Sequence, residues 1–151
     1  MGMEFDGTVN IKASREKVWA FLIDPEAVSE CAPGVNNLEI LVPGKKFRAI
    51  VVVGVGSVRS SFAMDVEFLE LDAPKCAKLK AHGKAPGSAT DVISEMVLVE
   101  SPDGSTELQW STEVQIMGTI ASLAARFAPS ITKKLSREFF DCVRQKLEAE
   151  Y

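Results

Sequence analysis

The chain has 151 residues, 46% hydrophobic and 25% charged, with a formal net charge of −4. That length suits one domain, and such a chain buries roughly two thirds of its unfolded surface, so it needs neither disulfide nor metal to hold its core. The composition excludes a disordered chain, the acidic balance disfavours a nucleic-acid binder, and the apolar stretch AIVVVGVGSV falls short of the ~18 residues of a membrane span.

In the opening MGMEFDGTVNIK, Met3, Phe5, Gly7, Val9 and Ile11 alternate with Glu4, Asp6, Thr8, Asn10 and Lys12, the period of a strand with one wet face. This is not the plan of a signal peptide, and a cytoplasmic location is the default expectation. Ser14 is placed as an N-cap before REKVWAFLI, where Val18, Trp19, Leu22 and Ile23 form a helical stripe. DPEAVSECAPG predicts a second short helix, with Pro25 in its first turn and Pro33-Gly34 as its stop. From Leu38 to about Met117 the chain reads as strand. Phe47, Ala49, Val51, Val53 and Val55 alternate, and Gly54 and Gly56 mark a turn or bulge. In FAMDVEFLELD the apolar phase slips by one residue after Phe68, as a β-bulge requires. DAP, HGKAPGSA and PDGS supply further turns. The last strand sets Leu108, Trp110, Thr112, Val114 and Ile116 against Glu107, Gln109, Ser111, Glu113 and Gln115.

A long amphipathic segment follows, with Ile120, Leu123, Phe127, Ile131, Leu135, Phe139, Val143 and Leu147 on one stripe. Pro129 lies inside it, removes an amide donor and disfavours helical geometry at Ala128, which predicts a break into a short piece from Thr119 to Phe127 and a long piece beyond. The short piece would act as a lid opposite the turn from Gly54 to Ser57, or the kink would only fit the helix to the sheet. An antiparallel sheet has one dry face to offer, and one helix cannot bury its stripe alone. The expected fold is therefore a single α+β domain over residues 1–151 of the helix-grip type. A curved antiparallel sheet of about seven strands wraps the C-terminal helix, and two short helices follow strand one.

Such a fold leaves space between helix and sheet. Its lining would come from Val51, Val53, Phe62, Met64, Met96, Trp110 and Met117 on the strands and from Leu123, Phe127, Ile131 and Leu135 on the helix. Methionine adapts to irregular shapes, which suits a cavity for a flexible apolar ligand. A core filled by the same residues fits the pattern equally, and would make the chain an assembly or docking module with an exposed apolar patch.

Candidates for chemistry are few. His82 is the one histidine and sits between Lys80 and Lys84, where a solvated strand end is expected. Without a second histidine, His-based metal sites and a Ser-His-Asp triad are disfavoured. Asp65 and Glu67 share a strand face opposite Met64, Val66 and Phe68, which assigns them to solvent. Asp91 and Glu95 share parity with Ile93 and Val97, so either an inward carboxylate or a wet face fits. An enzyme would have to use Asp91, Glu95 or His82. Cys31, Cys76 and Cys142 never form a CxxC pair and are expected as free, buried thiols. The basic side of the last helix could lean on an anionic membrane, but Glu138, Asp141, Glu148 and Glu150 interleave with it.

Several segments, in order, resemble the CoxG family of carbon monoxide dehydrogenase subunits, within the START and Bet v 1-like superfamily. They are F-D-G-T-V near the start, V-W-A-F-L-I-D-P-E with C-A-P-G ending at Gly34, V-G-V-G-S-V-R-S-S-F ending at Phe62, L-D-A-P, G-K-A-P-G-S-A, and M-G-T-I-A-S-L-A-A-R-F followed by E-F-F. The resemblance implies an accessory or carrier protein rather than a catalyst. It would bind a hydrophobic small molecule, a quinone or another isoprenoid lipid, with no metal or covalent cofactor. It further implies service to a molybdenum hydroxylase such as carbon monoxide dehydrogenase and at most transient contact with the inner face of the membrane, while the acidic balance argues against a nucleic-acid partner. The superfamily also contains cyclases and hydrolases, so an enzyme is the alternative.

Overall fold

The alternating pattern of the sequence becomes seven strands and the two helical stripes become three helices. In the computed structural model residues 2–55, 58–119 and 121–148 are described, excepting the side chains of Val55, Val58, Leu123 and Ala124. In chain order the elements are β1 (Gly2–Ile11), α1 (Arg15–Leu22), α2 (Pro25–Cys31), β2 (Val35–Val42), β3 (Lys46–Val55), β4 (Val58–Asp72), β5 (Cys76–Ala85), β6 (Ser88–Glu100), β7 (Thr106–Gly118) and α3 (Ala121–Glu148). The strands form one antiparallel sheet in the order β1-β7-β6-β5-β4-β3-β2. This is the curved-sheet, long-helix architecture expected.

Local signals hold where the chemistry is local. Ser14 accepts from the Lys17 amide at 3.3 Å to cap α1, and Asp24 accepts from the Glu26 amide at 3.1 Å ahead of Pro25 in α2. The phase slip after Phe68 is a break in the β4–β5 register between Phe68 and Glu70. β2 is an outer edge of the sheet, and its ladder with β3 is broken twice, between Asn36 and Glu39 and between Ile40 and Val42. Asn37 has φ of 51°, a left-handed conformation that asparagine tolerates.

The register fixes which residues share a face. One inward row runs Gly7, Trp110, Met96, Ala77 across β1, β7, β6 and β5; the next runs Phe5, Thr112, Ser94, Leu79, Phe68. The outward row Gln115, Asp91, His82, Asp65, Arg48 shows the opposite chemistry. The main core gathers at one end, where Val9, Ile11, Leu98 and Leu108 meet Val18, Trp19 and Leu22 of α1 and Val143 and Leu147 of α3. Each such side chain contributes roughly 1.5–3 kcal/mol by leaving water. Thr106, fully buried there, satisfies its hydroxyl by donating to the Ala13 carbonyl at 2.8 Å.

Two expectations are corrected. α3 does not divide at Pro129 but runs unbroken through 28 residues. Pro129 is exposed, so its ring lies on the solvent side, and the Ser130 hydroxyl donates to the Phe127 carbonyl at 3.0 Å. The stripe Phe127, Ile131, Leu135, Phe139, Val143, Leu147 keeps its phase across the proline, and this packing outweighs a local cost of about 3 kcal/mol. No separate piece from Thr119 to Phe127 exists to serve as a lid; Ile120, Gly56 and Ser57, which that idea also used, lie outside the described residues. The second correction concerns sulfur. Cys31 and Cys142 are joined as a disulfide across a sequence separation of 111, with Cα atoms 5.4 Å apart, while Cys76 is free. Nothing in the spacing signals the pair, because only the docking of α2 on α3 brings the two together.

Because the helix is continuous, Pro129→Ala restores a donor without disturbing the stripe. It is expected to raise the unfolding free energy by about 1–3 kcal/mol in urea denaturation. An unchanged or lower value would mean that α3 depends on a bend at this position.

Candidate functional site

The principal strand contacts of α3 are with β1 and β7 on one side and β3 on the other, so the helix bridges the flanks of the sheet above its middle strands. Under that bridge, beside the core, lies an apolar cleft of about 440 Å³. Its floor is Ala77 and Leu79 of β5, Ser94 and Met96 of β6, and Leu108, Trp110 and Thr112 of β7. Its roof is Thr132, Leu135, Ser136, Phe139 and Phe140 of α3, and Leu22, Val28, Ala32 and Pro33 close the end by α1 and α2.

Aromatic rings make the inner wall. Phe139 and Phe140 meet edge to face with centroids 5.1 Å apart, and Phe140 lies 6.3 Å from Trp110. The Trp110 indole can lie flat across β1 because its register partner is Gly7, where an added Cβ would stand 2.8 Å from the ring. Polar atoms in the cleft are hydroxyls. Ser94 Oγ and Thr112 Oγ1 are hydrogen-bonded at 2.8 Å on the floor, with Thr132 and Ser136 one helical turn apart in the roof. Glu95 and Ser111 also border the cleft, but they pair with each other in the outward-facing set. Among the described residues bordering it, Glu95 is the charged one.

Of the residues predicted to line a cavity, Met96, Trp110 and Leu135 meet here. The others take different places. Phe62 is buried opposite Val51, Val53 is half-buried further along β3, and Met64 lies against Gly83 where any side chain would displace it. Met117 is 40% exposed near the end of β7, and Phe127 and Ile131 are half-buried on the first half of α3. The side chain of Leu123 is outside the described set. Parity identified the correct face for the other strand residues but not for Met117, which shares the outward row of Glu113 and Gln115, and it did not give the position along the groove. The cleft residues Leu22, Val28, Pro33, Leu108, Phe139 and Phe140 were missed as a group, although Leu22, Leu108 and Phe139 already stood on apolar stripes.

The acid–base candidates lie on the outer face. His82 is in the middle of β5 rather than at a strand end, and its Nδ1 is 2.5 Å from Asp91 Oδ1. Both side chains are about half exposed, and Glu95 is exposed. A reading of catalysis through His82, Asp91 or Glu95 at an inward site therefore loses its basis. Asp65 faces solvent as expected, and Arg48 Nε donates to it at 2.6 Å. That hydrogen bond holds the Asp65 carboxyl below its ordinary range, helped by the nearby charges of Arg48, His82 and Lys84. At Glu67 partial desolvation pushes upward, but the hydrogen bond from Lys80 and the charges of Lys46, Lys80 and Lys45 outweigh it, and the net shift is downward. Among the described residues no cluster of three or more His, Cys, Asp or Glu could hold a metal ion, and no helix is long and apolar enough to cross a membrane.

Two outcomes follow from this geometry. A carboxyl depressed in the folded state adds stability above its unfolded pKa and loses it as pH falls through the folded value. Stability should therefore decline on acidification below the usual carboxylate range, and Asp65→Asn should flatten that decline by a small amount that shrinks with added salt. In the cleft, Gly7→Ala should drive the indole off β1, costing about 1–3 kcal/mol and shifting the tryptophan emission; an unchanged spectrum and stability would contradict the placement of Trp110.

The comparisons with known proteins agree with the fold. The profile of CoxG, a family of carbon monoxide dehydrogenase subunits, matches residues 7–148. No curated protein sequence matches the chain. A conserved protein from Geobacillus kaustophilus superposes with a TM-score of 0.89 at 22% identity, covering 97% of this chain and 96% of that one. An aromatase/cyclase from a Streptomyces species superposes with a TM-score of 0.75 at 16% identity, over 98% and 94% of the two chains. A START superfamily protein from Mycobacterium smegmatis gives 0.66 at 16% identity, over 98% and 99%. At such identities these structures establish the fold, START-like with a helix grip, and not a shared chemistry. By the match across nearly all of its length, the chain belongs to the carbon monoxide dehydrogenase CoxG family.

Proposed function

We propose that the cleft binds a neutral, largely apolar small molecule with a hydrogen-bonding head, of the quinone or isoprenoid-lipid kind. In this reading the chain is an accessory carrier to a molybdenum hydroxylase of the carbon monoxide dehydrogenase type, not a catalyst. It works away from nucleic acid, on the cytoplasmic side, with at most transient contact with the membrane. The observation that carries the reading is the character of the cleft: about 440 Å³, walled by Trp110, Phe139, Phe140, Met96 and Leu135, with hydroxyls as its inward polar groups. A charged ligand entering such walls would lose its hydration without an ionic partner, so exclusion of charge is built into the lining. A flat ring can lie against Trp110 and Phe140, and a carbonyl can accept from the Thr132 hydroxyl, or from Ser136 in exchange for its bond to the Lys133 carbonyl. Family membership supports the partnership, since the family takes its description from a component of carbon monoxide dehydrogenase.

The test is native mass spectrometry of the purified protein, extraction of any released species, and titration with a short-chain quinone. A neutral lipid-like mass or saturable uptake is expected. Leu135→Trp, which fills the cleft from its roof, should weaken uptake at least about tenfold, a difference of about 1.4 kcal/mol, with little change in melting temperature. An apoprotein that takes up neither quinone nor isoprenoid would overturn the carrier reading.

A further inference from the structure

The Cys31–Cys142 disulfide joins the two helices that form the α2 end of the cleft. α2 supplies Val28 to that wall, with Ala32 and Pro33 directly after it, and α3 supplies Leu135, Phe139 and Phe140. α2 is otherwise lightly held. Within its seven residues Cys31 alone is buried. Among the described residues its other polar side-chain tie to α3 is an exposed ion pair between Glu30 and Lys146, of a kind worth little in water. The chain on either side is fixed: the Ile23 amide bonds the Trp19 carbonyl at 3.1 Å, and the Gly34 carbonyl accepts from the Val52 amide at 2.9 Å. α2 is thus a short segment between two anchored points, pinned at its far end by one covalent bond.

We propose that this disulfide is a redox latch on the cleft: oxidised, it closes α2 against α3 over the bound molecule, and reduced, it lets α2 swing away and speeds exchange. The proposal rests on the carrier reading for its ligand, though the motion of α2 can be measured without one. The reductant is a protein or small-molecule dithiol. Cys142 is only partly buried while Cys31 is 5% exposed, so the incoming thiolate attacks Cys142 Sγ. That step forms a mixed disulfide and releases the Cys31 thiolate, which takes a proton. The second thiol of the reductant then attacks its own sulfur in the mixed disulfide and releases Cys142. Two electrons and two protons pass to the protein, and the dithiol leaves as a disulfide. On the cytoplasmic side proposed above, where thiols are normally kept reduced, disulfides are mostly transient and regulatory, which fits a latch better than a permanent staple.

The experiment follows the full chain oxidised and after dithiothreitol, with alkylation and intact mass reporting one reactive cysteine before reduction and three after. Amide hydrogen exchange is expected to accelerate at least about tenfold in α2 on reduction, with β6 and β7 unchanged. Release of a preloaded short-chain quinone should accelerate by a similar factor. Cys142→Ala should show the fast behaviour with and without reductant. Equal α2 protection in both states would overturn the latch, as would loss of protection across the whole sheet, which would make the bond a global staple. If no quinone loads in either state, the carrier reading fails and the latch is decided by the exchange of α2 alone.

Discussion

The structure turns on a mismatch between one helix and one sheet. A helix of 28 residues is about 42 Å long and 10–12 Å wide, whereas seven strands side by side span roughly 29 Å. A straight sheet would leave most of its apolar face uncovered. Curling brings its flanks up to α3, which accordingly packs on β1, β7 and β3. The middle strands then stand away from the helix, and what fills the gap decides whether the molecule has a core or a container there. At one end α1 and the last turns of α3 fill it with Val18, Trp19, Val143 and Leu147. Next to that plug the filling stops, and the cleft is what the curvature leaves over.

The two faces of the sheet solve opposite problems. Inside, side chains are chosen to fit rather than to pair: Gly7 is bare so that Trp110 can lie flat, and Gly83 is bare so that Met64 can. Outside, basic and acidic side chains alternate across neighbouring strands from Arg48 to Asp65 to His82 to Asp91, while Lys46 and Lys80 flank Glu67 at 3.6 and 3.4 Å. Such cross-strand pairs contribute modestly each. Their larger effect is to specify register, since a slip of one residue would set lysines into the cleft and leucines into water.

Period-two parity made the fold legible, because it assigns a face to every strand residue and shows where the phase slips, as at Phe68. Caps at Ser14 and Asp24 were equally readable, their partners lying within three residues in the chain. The site was legible only in outline. Met96, Trp110 and Leu135 reach the cleft, yet Phe62 and Val51 carry the same pattern and end up packed against each other elsewhere. Nothing in a strand's alternation says which segment of the groove the small helices will plug. The behaviour at Pro129 misled for a related reason: a local penalty is visible in the sequence, but the continuous stripe that outweighs it is a property of the assembled core. The disulfide escaped altogether, since its geometry exists only once α2 has docked.

The outer edge formed by β2 has a consequence for how far the sheet can grow. Ile40, Leu41 and Val42 are 38–43% exposed there, an invitation to a strand from another molecule. The invitation is hard to accept. The two register breaks and the left-handed Asn37 leave no long straight row of free amides and carbonyls, and Pro43 ends the row. Where the chain exposes greasy residues along β2, it thereby withholds the regular row of backbone groups that an added strand would need.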